Sequence, residues 1–263
     1  VTAPFTLLGA YIVAYPGEPW PTKVFTGATV VCLITAFGFA INDYCNVKED
    51  TIGKPQRPIP SGRVSSSLAG AFAWSLAVMG VLTSAFLSVN MMLFAIAMVG
   101  ITAAYSYRLK NSVILGNVAV AVPVSAVPLY GALAMGRVTA GVLVVSAIMF
   151  LYVLAQEALF NLEDEECDRL AGLRTTATYL GPDRTIMLIR AVLITAMAVT
   201  LVPWSLGLAS TMYLGMLVAC VLVPITLMIF ILRQPISRPV IAKMATLSRL
   251  LWVTSLVPFA LLK

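Results

Sequence analysis

The stretch from Asn42 to Arg63, NDYCNVKEDTIGKPQRPIPSGR, places acidic and basic side chains directly after an apolar run, VVCLITAFGFAI. A weaker version of this arrangement, NLEDEECDRLAG at 161–172, follows the apolar run SAIMFLYVLAQEALF. Charge beside hydrocarbon is costly unless it is compensated, so carboxylates gathered where membrane helices end predict cationic partners or a metal ion. Most of the chain's 11 acidic residues lie in these two stretches: Asp43, Glu49, Asp50, Glu163, Asp164, Glu165, Glu166 and Asp168.

The composition of the 263-residue chain excludes a soluble domain, because 60% of its residues are hydrophobic and 11% are charged, against about 45–50% apolar residues in soluble domains. Apolar runs near the length that crosses a bilayer predict an all-α membrane protein with nine transmembrane helices. No basic region with a small-residue cleavage site precedes the first run, so we expect no signal peptide. The predicted helices are at about 1–15, 24–43, 66–87, 90–107, 113–134, 140–162, 185–205, 210–232 and 244–262.

The distribution of Lys and Arg predicts the orientation, since cytoplasmic loops carry the excess of these residues. Alternate connections hold few of them, only Lys23 and Arg137, which predicts both acidic stretches on the cytoplasmic side, the N-terminus inside and Lys263 outside. The net charge of +6 is spread over short loops, so it indicates topology and no nucleic-acid partner. The remaining connections hold Lys48, Lys54, Arg57 and Arg63, then Arg108 and Lys110, then Arg169, Arg174 and Arg184, and finally Arg233, Arg238 and Lys243.

The first stretch predicts a site for a hard divalent cation at a helix end. Asn42, Asn46 and Asp50 are spaced four apart, so on a helix they share one face, whereas Asp43 and Glu49 are expected to point elsewhere. Carboxylate and amide oxygens suit Mg²⁺, which keeps coordination sites for phosphate. The following prolines end the helix and predict a loop that carries Lys54, Arg57 and Arg63 back over the site.

The second stretch repeats this pattern. Asp164 and Asp168 are also four apart, and aligning Asp168 with Asp50 places Asp164 on Asn46, which indicates two related halves. Glu157 lies within the preceding apolar run. An intramembrane carboxylate is a candidate functional residue, and Glu157 is a candidate general base. The loop after Gly172 adds another cation, Arg174. The cysteines lack CxxC spacing and the chain contains no His, so a zinc or iron–sulfur site is not expected.

With these motifs, the chain resembles the UbiA superfamily of intramembrane prenyltransferases. The resemblance covers the whole chain and is most specific in NDYCNVKEDTIGKPQRPIPSGR and DEECDRLAGLRTT. It implies a single domain over 1–263 with helices around a central cavity, capped by cytoplasmic loops at about 43–65 and 163–184. It also implies a site of Asn42, Asp50, Asp164 and Asp168, with Asn46, for Mg²⁺ and diphosphate, and phosphate contacts from Lys54, Arg57, Arg63 and Arg174.

The activity implied by the resemblance is magnesium-dependent transfer of a prenyl group from a polyprenyl diphosphate to a lipophilic acceptor, either aromatic or a glyceryl phosphate lipid. The reaction would pass through an allylic carbocation and release pyrophosphate. The chain departs from the superfamily pattern in two ways: Asn46 replaces the middle Asp of the first motif, and Phe160 and Asn161 stand where many members have a Lys. A membrane terpene cyclase, which ionises a prenyl diphosphate without an acceptor, stays open as an alternative, as does a transporter.

Overall fold

The computed structural model describes residues 2–232 and 236–262 of the chain, and all regular structure in these ranges is helical. Large apolar side chains lie on the outer surface, for example Phe39 and Phe86 with exposed fractions of 72% and 89%. Within the described ranges, eight helices are long and apolar enough to cross a bilayer. The predicted fold class, an all-α membrane protein, is confirmed, and the protein is an integral membrane protein.

From residue 2 onward, the first half of the chain forms seven α-helices and one short 3₁₀-helix, Leu109–Asn111. Serine side chains cap some of them, since the Ser65 and Ser88 hydroxyl groups accept the backbone N–H groups of Leu68 and Met91, as N-cap residues do. The bounds are α1 (Thr2–Val13), α2 (Thr22–Cys45), α3 (Val47–Gly53), α4 (Ser66–Ala85), α5 (Val89–Tyr107), α6 (Leu115–Ser125) and α7 (Val127–Ala134).

The described residues of the second half form eight α-helices. A π-helical turn at Val218–Leu222 joins two of them into one membrane-crossing segment, Thr211–Ile231. The bounds are α8 (Ala140–Glu163), α9 (Glu165–Leu170), α10 (Thr176–Leu180), α11 (Pro182–Ser205), α12 (Thr211–Leu217), α13 (Val223–Ile231), α14 (Arg238–Thr254) and α15 (Leu256–Phe259). Arg233 and Lys263, used above to predict orientation, lie outside the described residues, as does the side chain of Arg238.

The predicted count of nine transmembrane helices is approximate. Helix α1 has 12 residues, a length of about 18 Å at the α-helical rise, whereas the hydrocarbon core of a bilayer is about 30 Å thick. The described residues therefore contain eight helices of spanning length and one shorter apolar helix. The predicted fifth span consists of two helices that meet at Ala126, between Pro123 in α6 and Pro128 at the start of α7.

Helices α2 and α8 are the two central elements of the bundle. Helix α2 packs against α1, α4 and α5, whereas α8 packs against α6, α11 and α14. Each is followed by a short helix, α3 or α9, and these two short helices contact each other. This arrangement brings the two acidic stretches together at one end of the molecule.

Candidate active site

The end of α2 keeps its oxygen-bearing side chains in line. Asn46 separates α2 from α3, yet its N–H donates to the Asn42 carbonyl at 2.9 Å, and the Asp50 N–H donates to the Asn46 carbonyl at 2.9 Å. The helical hydrogen-bond pattern thus continues across the break. Asn42, Asn46 and Asp50 all line one cavity, as the sequence spacing predicts.

The end of α8 has the same local geometry. The Asp164 N–H donates to the Phe160 carbonyl, and the Asp168 N–H donates to the Asp164 carbonyl, both at 2.9 Å. Asp164 has φ −93° and ψ 4°, close to the φ −93° and ψ 17° of Asn46. Asp164 and Asp168 line the same cavity, so the local backbone agrees with the predicted correspondence of the two stretches.

Close packing and an ion pair join the two stretches. A side chain at Gly53 would place its Cβ 2.7 Å from Cys167 Sγ, so the absence of a side chain there lets α3 approach α9. Lys54 Nζ lies 3.1 Å from Asp164 Oδ1. The Arg57 guanidinium donates to Asp43 Oδ1 and Asp50 Oδ2, each at 2.8 Å. The basic loop therefore folds back over the carboxylates, as predicted.

The cavity beneath this loop has a volume of about 420 Å³. Its mouth is lined by the polar side chains of α3 and α9, and its deeper wall by apolar side chains from α2, α5, α6 and α7. Val31 and Phe94 belong to the apolar part, together with Tyr130. A polar mouth above an apolar interior suits an amphiphile with an anionic head and a hydrocarbon tail.

Three of the five predicted metal ligands are buried, with exposed fractions of 7% for Asn46, 6% for Asp50 and 4% for Asp168, whereas the Asp164 side chain is 42% exposed. Burial raises the pKa of Asp168 from its ordinary value to about 6, against the lowering effects of the Lys110 charge and the Thr175 hydrogen bond. Asn42 Oδ1 is buried without a hydrogen-bond partner.

These features fit a hard cation, because every donor is an oxygen atom and the Asn42 amide oxygen is available. The described residues contain no group of three or more Asp, Glu, His or Cys side chains arranged to hold a metal ion by themselves. The Asn side chains would complete the set. At present Lys54 and Arg57 neutralise Asp164 and Asp50.

Two predicted phosphate ligands lie away from the cavity. Arg63 is exposed, and it donates to the Ser61 hydroxyl and the Gln56 carbonyl within its own loop. Arg174 lies over the ring of Tyr179, with Cζ 5.1 Å from the ring centroid. Neither residue lines the cavity, because each side chain is held by local contacts, so the structure does not bring them into the site.

Glu49 was expected to point away, but it lines the cavity and lies 3.7 Å from Lys110 Nζ. The sequence contains the signal for this position, because Glu49 follows Asn42 by seven residues, close to two helical turns. The structure also places Glu157, Tyr105 and Glu163 in the cavity wall.

Arg249 belongs to neither acidic stretch, yet it lines the cavity. Its Cζ atom lies 4.9 Å from the centroid of the Phe160 ring. Phe160 stands where many superfamily members carry Lys, so here a cation from α14, Arg249, lies beside that position. No spacing rule links Arg249 to the motifs, since the contact depends on how α14 packs against α8.

The sequence and the fold were compared with those of known proteins. The model of the UbiA prenyltransferase family matches residues 2–253. A digeranylgeranylglyceryl phosphate synthase of Pyrococcus abyssi is 37% identical over 183 residues, which cover 69% of this chain and 65% of the relative. The aligned region thus spans slightly less than two thirds of that protein.

Two solved structures share the fold. One, described as digeranylgeranylglyceryl phosphate synthase in membranes, superposes with a TM-score of 0.77 at 22% identity over 98% of this chain and 91% of the other. A UbiA homologue from Archaeoglobus fulgidus bound to GPP and Mg²⁺ superposes with a TM-score of 0.70 at 16% identity, over 98% and 96%. Together with the match of the family model over almost the whole sequence, these findings show that the chain belongs to the UbiA prenyltransferase family.

Proposed function

We propose that this protein catalyses magnesium-dependent transfer of a prenyl group from a polyprenyl diphosphate to a hydroxyl group of a glyceryl phosphate lipid within the membrane. The observation that carries the proposal is the meeting of two oxygen-rich helix ends and the basic residues Lys54 and Arg57 at the polar mouth of an apolar cavity. The name of the Pyrococcus abyssi relative favours a glyceryl phosphate acceptor over an aromatic one.

Magnesium would be held by the two helix ends, through Asn42, Asn46, Asp50, Asp164 and Asp168. When bound there, it would neutralise negative charge on the diphosphate as this group leaves. The homologue from Archaeoglobus fulgidus bound to GPP and Mg²⁺ supports the use of this metal, and the all-oxygen donor set with the unpaired Asn42 Oδ1 supports these ligands.

The basic residues would contribute electrostatic stabilisation. Lys54 and Arg57 now bind Asp164 and Asp50, and with substrate present they would turn toward the diphosphate oxygens. Guanidinium and ammonium groups bind phosphate through charge-assisted hydrogen bonds. Their charge would favour loss of the diphosphate and formation of an allylic carbocation at C1.

Glu157 is the proposed proton acceptor. It lines the cavity one turn from Phe160 and two turns before Asp164. After the C1–O bond to the diphosphate breaks, the acceptor oxygen would bond to C1 and its proton would pass to the Glu157 carboxylate. The ring faces of Tyr105 and Phe160, which also line the cavity, would stabilise the cation before capture.

The proposal includes one domain over 1–263, with the site loops on the cytoplasmic side and the N-terminus inside. This orientation rests on the excess of Lys and Arg at the site end; at the other end Arg137 is paired with Glu18. In a protein whose native cysteines are replaced by Ser, Ser205→Cys should react with an impermeant maleimide on intact cells, and Ser61→Cys should react only after lysis. The reverse pattern would invert the proposed orientation.

The test of function is pyrophosphate release by the purified protein from geranyl, farnesyl or geranylgeranyl diphosphate. Each substrate is assayed with and without a glyceryl phosphate lipid, in Mg²⁺ and in EDTA. We expect release that requires both Mg²⁺ and the lipid, and an ether-linked product in the mass spectrum.

Other results would select a different function. Acceptor-independent release with a cyclic hydrocarbon or alcohol product would identify a terpene cyclase, a reading that the replacement of Asp by Asn46 keeps open. Release only with an aromatic acceptor would keep prenyl transfer and change the acceptor class. Binding of prenyl diphosphate without any release would contradict an enzymatic function and favour a transporter.

A further inference from the structure

Arg249 is a cation that lines the cavity and has no role in the reaction proposed above. It reaches the cavity from α14, far in sequence from both acidic stretches. The guanidinium lies over the Phe160 ring, and Nη2 is 4.0 Å from Glu163 Oε2. The side chain is 58% exposed, so its hydrogen-bond donors remain accessible to a ligand in the cavity.

The other cations of the cavity are held more closely by carboxylates. The N···O distances are 3.1 Å for Lys54 to Asp164, 2.8 Å for Arg57 to Asp50 and 3.7 Å for Lys110 to Glu49. These three cations lie with the carboxylates of α2, α3 and the end of α8. Arg249 approaches from a different helix and has the longest contact of the four.

A buried hydrogen-bond network fixes the position of Arg249 relative to α8. The neighbouring residue, Ser248, accepts from Gln156 Nε2 at 2.9 Å through its hydroxyl and from the Tyr152 hydroxyl at 2.6 Å through its carbonyl. One turn further along α14, Trp252 Nε1 donates to Gln156 Oε1 at 3.1 Å. These bonds join α14 to α8 and hold Arg249 beside the cavity.

The proposed reaction requires two anionic groups in one cavity, the diphosphate of one substrate and the phosphate of the acceptor lipid. Like charges repel strongly where water is excluded, so each anion needs cations of its own. We propose that Arg249 binds the phosphate of the acceptor lipid, while the cations near α3 bind the diphosphate. The planar guanidinium suits this role, because it can donate two parallel hydrogen bonds to phosphate. This inference rests on the proposed function.

The experiment compares Arg249→Gln with the unmodified protein in steady-state assays of both substrates. Loss of a charge-assisted contact should raise KM for the glyceryl phosphate lipid about ten- to one hundred-fold, with KM for geranylgeranyl diphosphate unchanged. Arg249→Lys should lie between the two, since it keeps the charge and loses the planar pair of donors. A rise confined to KM for geranylgeranyl diphosphate would overturn the inference.

A matched control is Lys243→Gln, which removes one positive charge from the same helix at an exposed position outside the cavity. It should leave both KM values unchanged, and an acceptor KM raised equally in both variants would overturn a specific role for Arg249.

A second measurement uses a neutral glyceryl ether that lacks the phosphate. The unmodified protein should use it with a raised KM that Arg249→Gln does not raise further, since the partner of Arg249 is already missing. Equal KM values of the unmodified protein for the neutral ether and the phosphate lipid would overturn the inference even if Arg249→Gln failed to fold. Lack of any transfer by the unmodified protein would instead reject the proposed function.

Discussion

Asp50 and Asp168 have the lowest exposed fractions among the carboxylates of the site. Each is the last proposed metal ligand of its stretch. Replacing either with Asn keeps the shape of the side chain but removes a negative charge that the divalent cation needs. We predict that Asp50→Asn and Asp168→Asn lower kcat/KM for magnesium-dependent transfer about a hundred-fold or more, with unchanged folding in detergent.

The matched control is Glu165→Gln, because Glu165 belongs to the same acidic stretch, lies outside the cavity and pairs with Arg169. This variant should retain full kcat/KM. Normal turnover by Asp50→Asn or Asp168→Asn would remove the corresponding metal ligand from the proposal.

The raised pKa of Asp168 predicts competition between protons and magnesium. Its pKa in the folded, metal-free protein is about 6, above the ordinary 3.8, chiefly because of burial. The protonated form is therefore favoured by folding, so this group's contribution to stability is present below pH 4 and is lost as the pH rises through 6. Binding of Mg²⁺ requires the ionised form.

Apparent magnesium affinity should therefore fall about tenfold for each pH unit below 6. The measurement is the Mg²⁺ concentration for half-maximal pyrophosphate release at pH 5 and at pH 7. Saturating Mg²⁺ should restore most of the rate at pH 5. A loss of rate at pH 5 that saturating Mg²⁺ leaves unchanged would assign the pH dependence to another group.

Among the helices, α1 and α7 approach so closely that their glycines have no room for a side chain. A Cβ at Gly131 would lie 1.8 Å from the Thr6 carbonyl oxygen, and one at Gly9 would lie 1.9 Å from the Pro128 carbonyl oxygen. In both cases the obstacle is backbone, which cannot rotate away. This backbone contact joins the short helix α1 to the bundle.

We predict that Gly131→Ala separates α1 from α7 and destabilises the protein by about 1–3 kcal/mol, as overpacking of a close contact does. Thermal unfolding in detergent measures the loss. The control is Gly100→Ala in α5, where no atom lies within 4 Å of the added Cβ and Ala is the better helix former. Equal melting temperatures for Gly131→Ala and the unmodified protein would show that α1 can shift at little cost.

The sequence predicts those features of the elements that depend on local spacing. Asn46 and Asp164 keep the helical register that the spacing of four residues in each stretch implies. Arg249 and Arg63 could not be assigned in this way, because one depends on the packing of α14 against α8 and the other on contacts within an irregular loop. Glu49 was missed although its spacing of seven residues contained the information.

At the scale of the whole molecule, the cavity places a polar mouth and an apolar interior in one continuous space. Helix α2 contributes to both parts, because it carries the apolar residue Val31 and the proposed metal ligand Asn42. Substrate selection thus has two separate parts: charged groups at the mouth recognise the head, and the depth of the apolar part limits the tail.

Two aromatic rings in contact with each other line the apolar part of the cavity. The centroids of Phe94 and Tyr130 are 5.6 Å apart, and both residues line the cavity. Phe94 precedes Tyr105 by 11 residues along α5, a distance of about 16 Å at the α-helical rise. Beyond the Tyr130 ring lies Gly27, where an added Cβ would be 3.5 Å from Tyr130 Cε1, so removal of this ring would extend the cavity.

We predict that Tyr130→Ala shifts the preferred donor toward longer prenyl chains. A fifth isoprene unit would occupy the space of the lost ring, and its burial should change the preference for the 25-carbon over the 20-carbon diphosphate by about tenfold or more. A competition assay with both donors, read by mass spectrometry of the products, measures the ratio. Phe86→Ala, which removes a ring with 89% exposure on the outer surface, should leave the ratio unchanged. An unchanged ratio in Tyr130→Ala would place the limit on chain length elsewhere in the cavity.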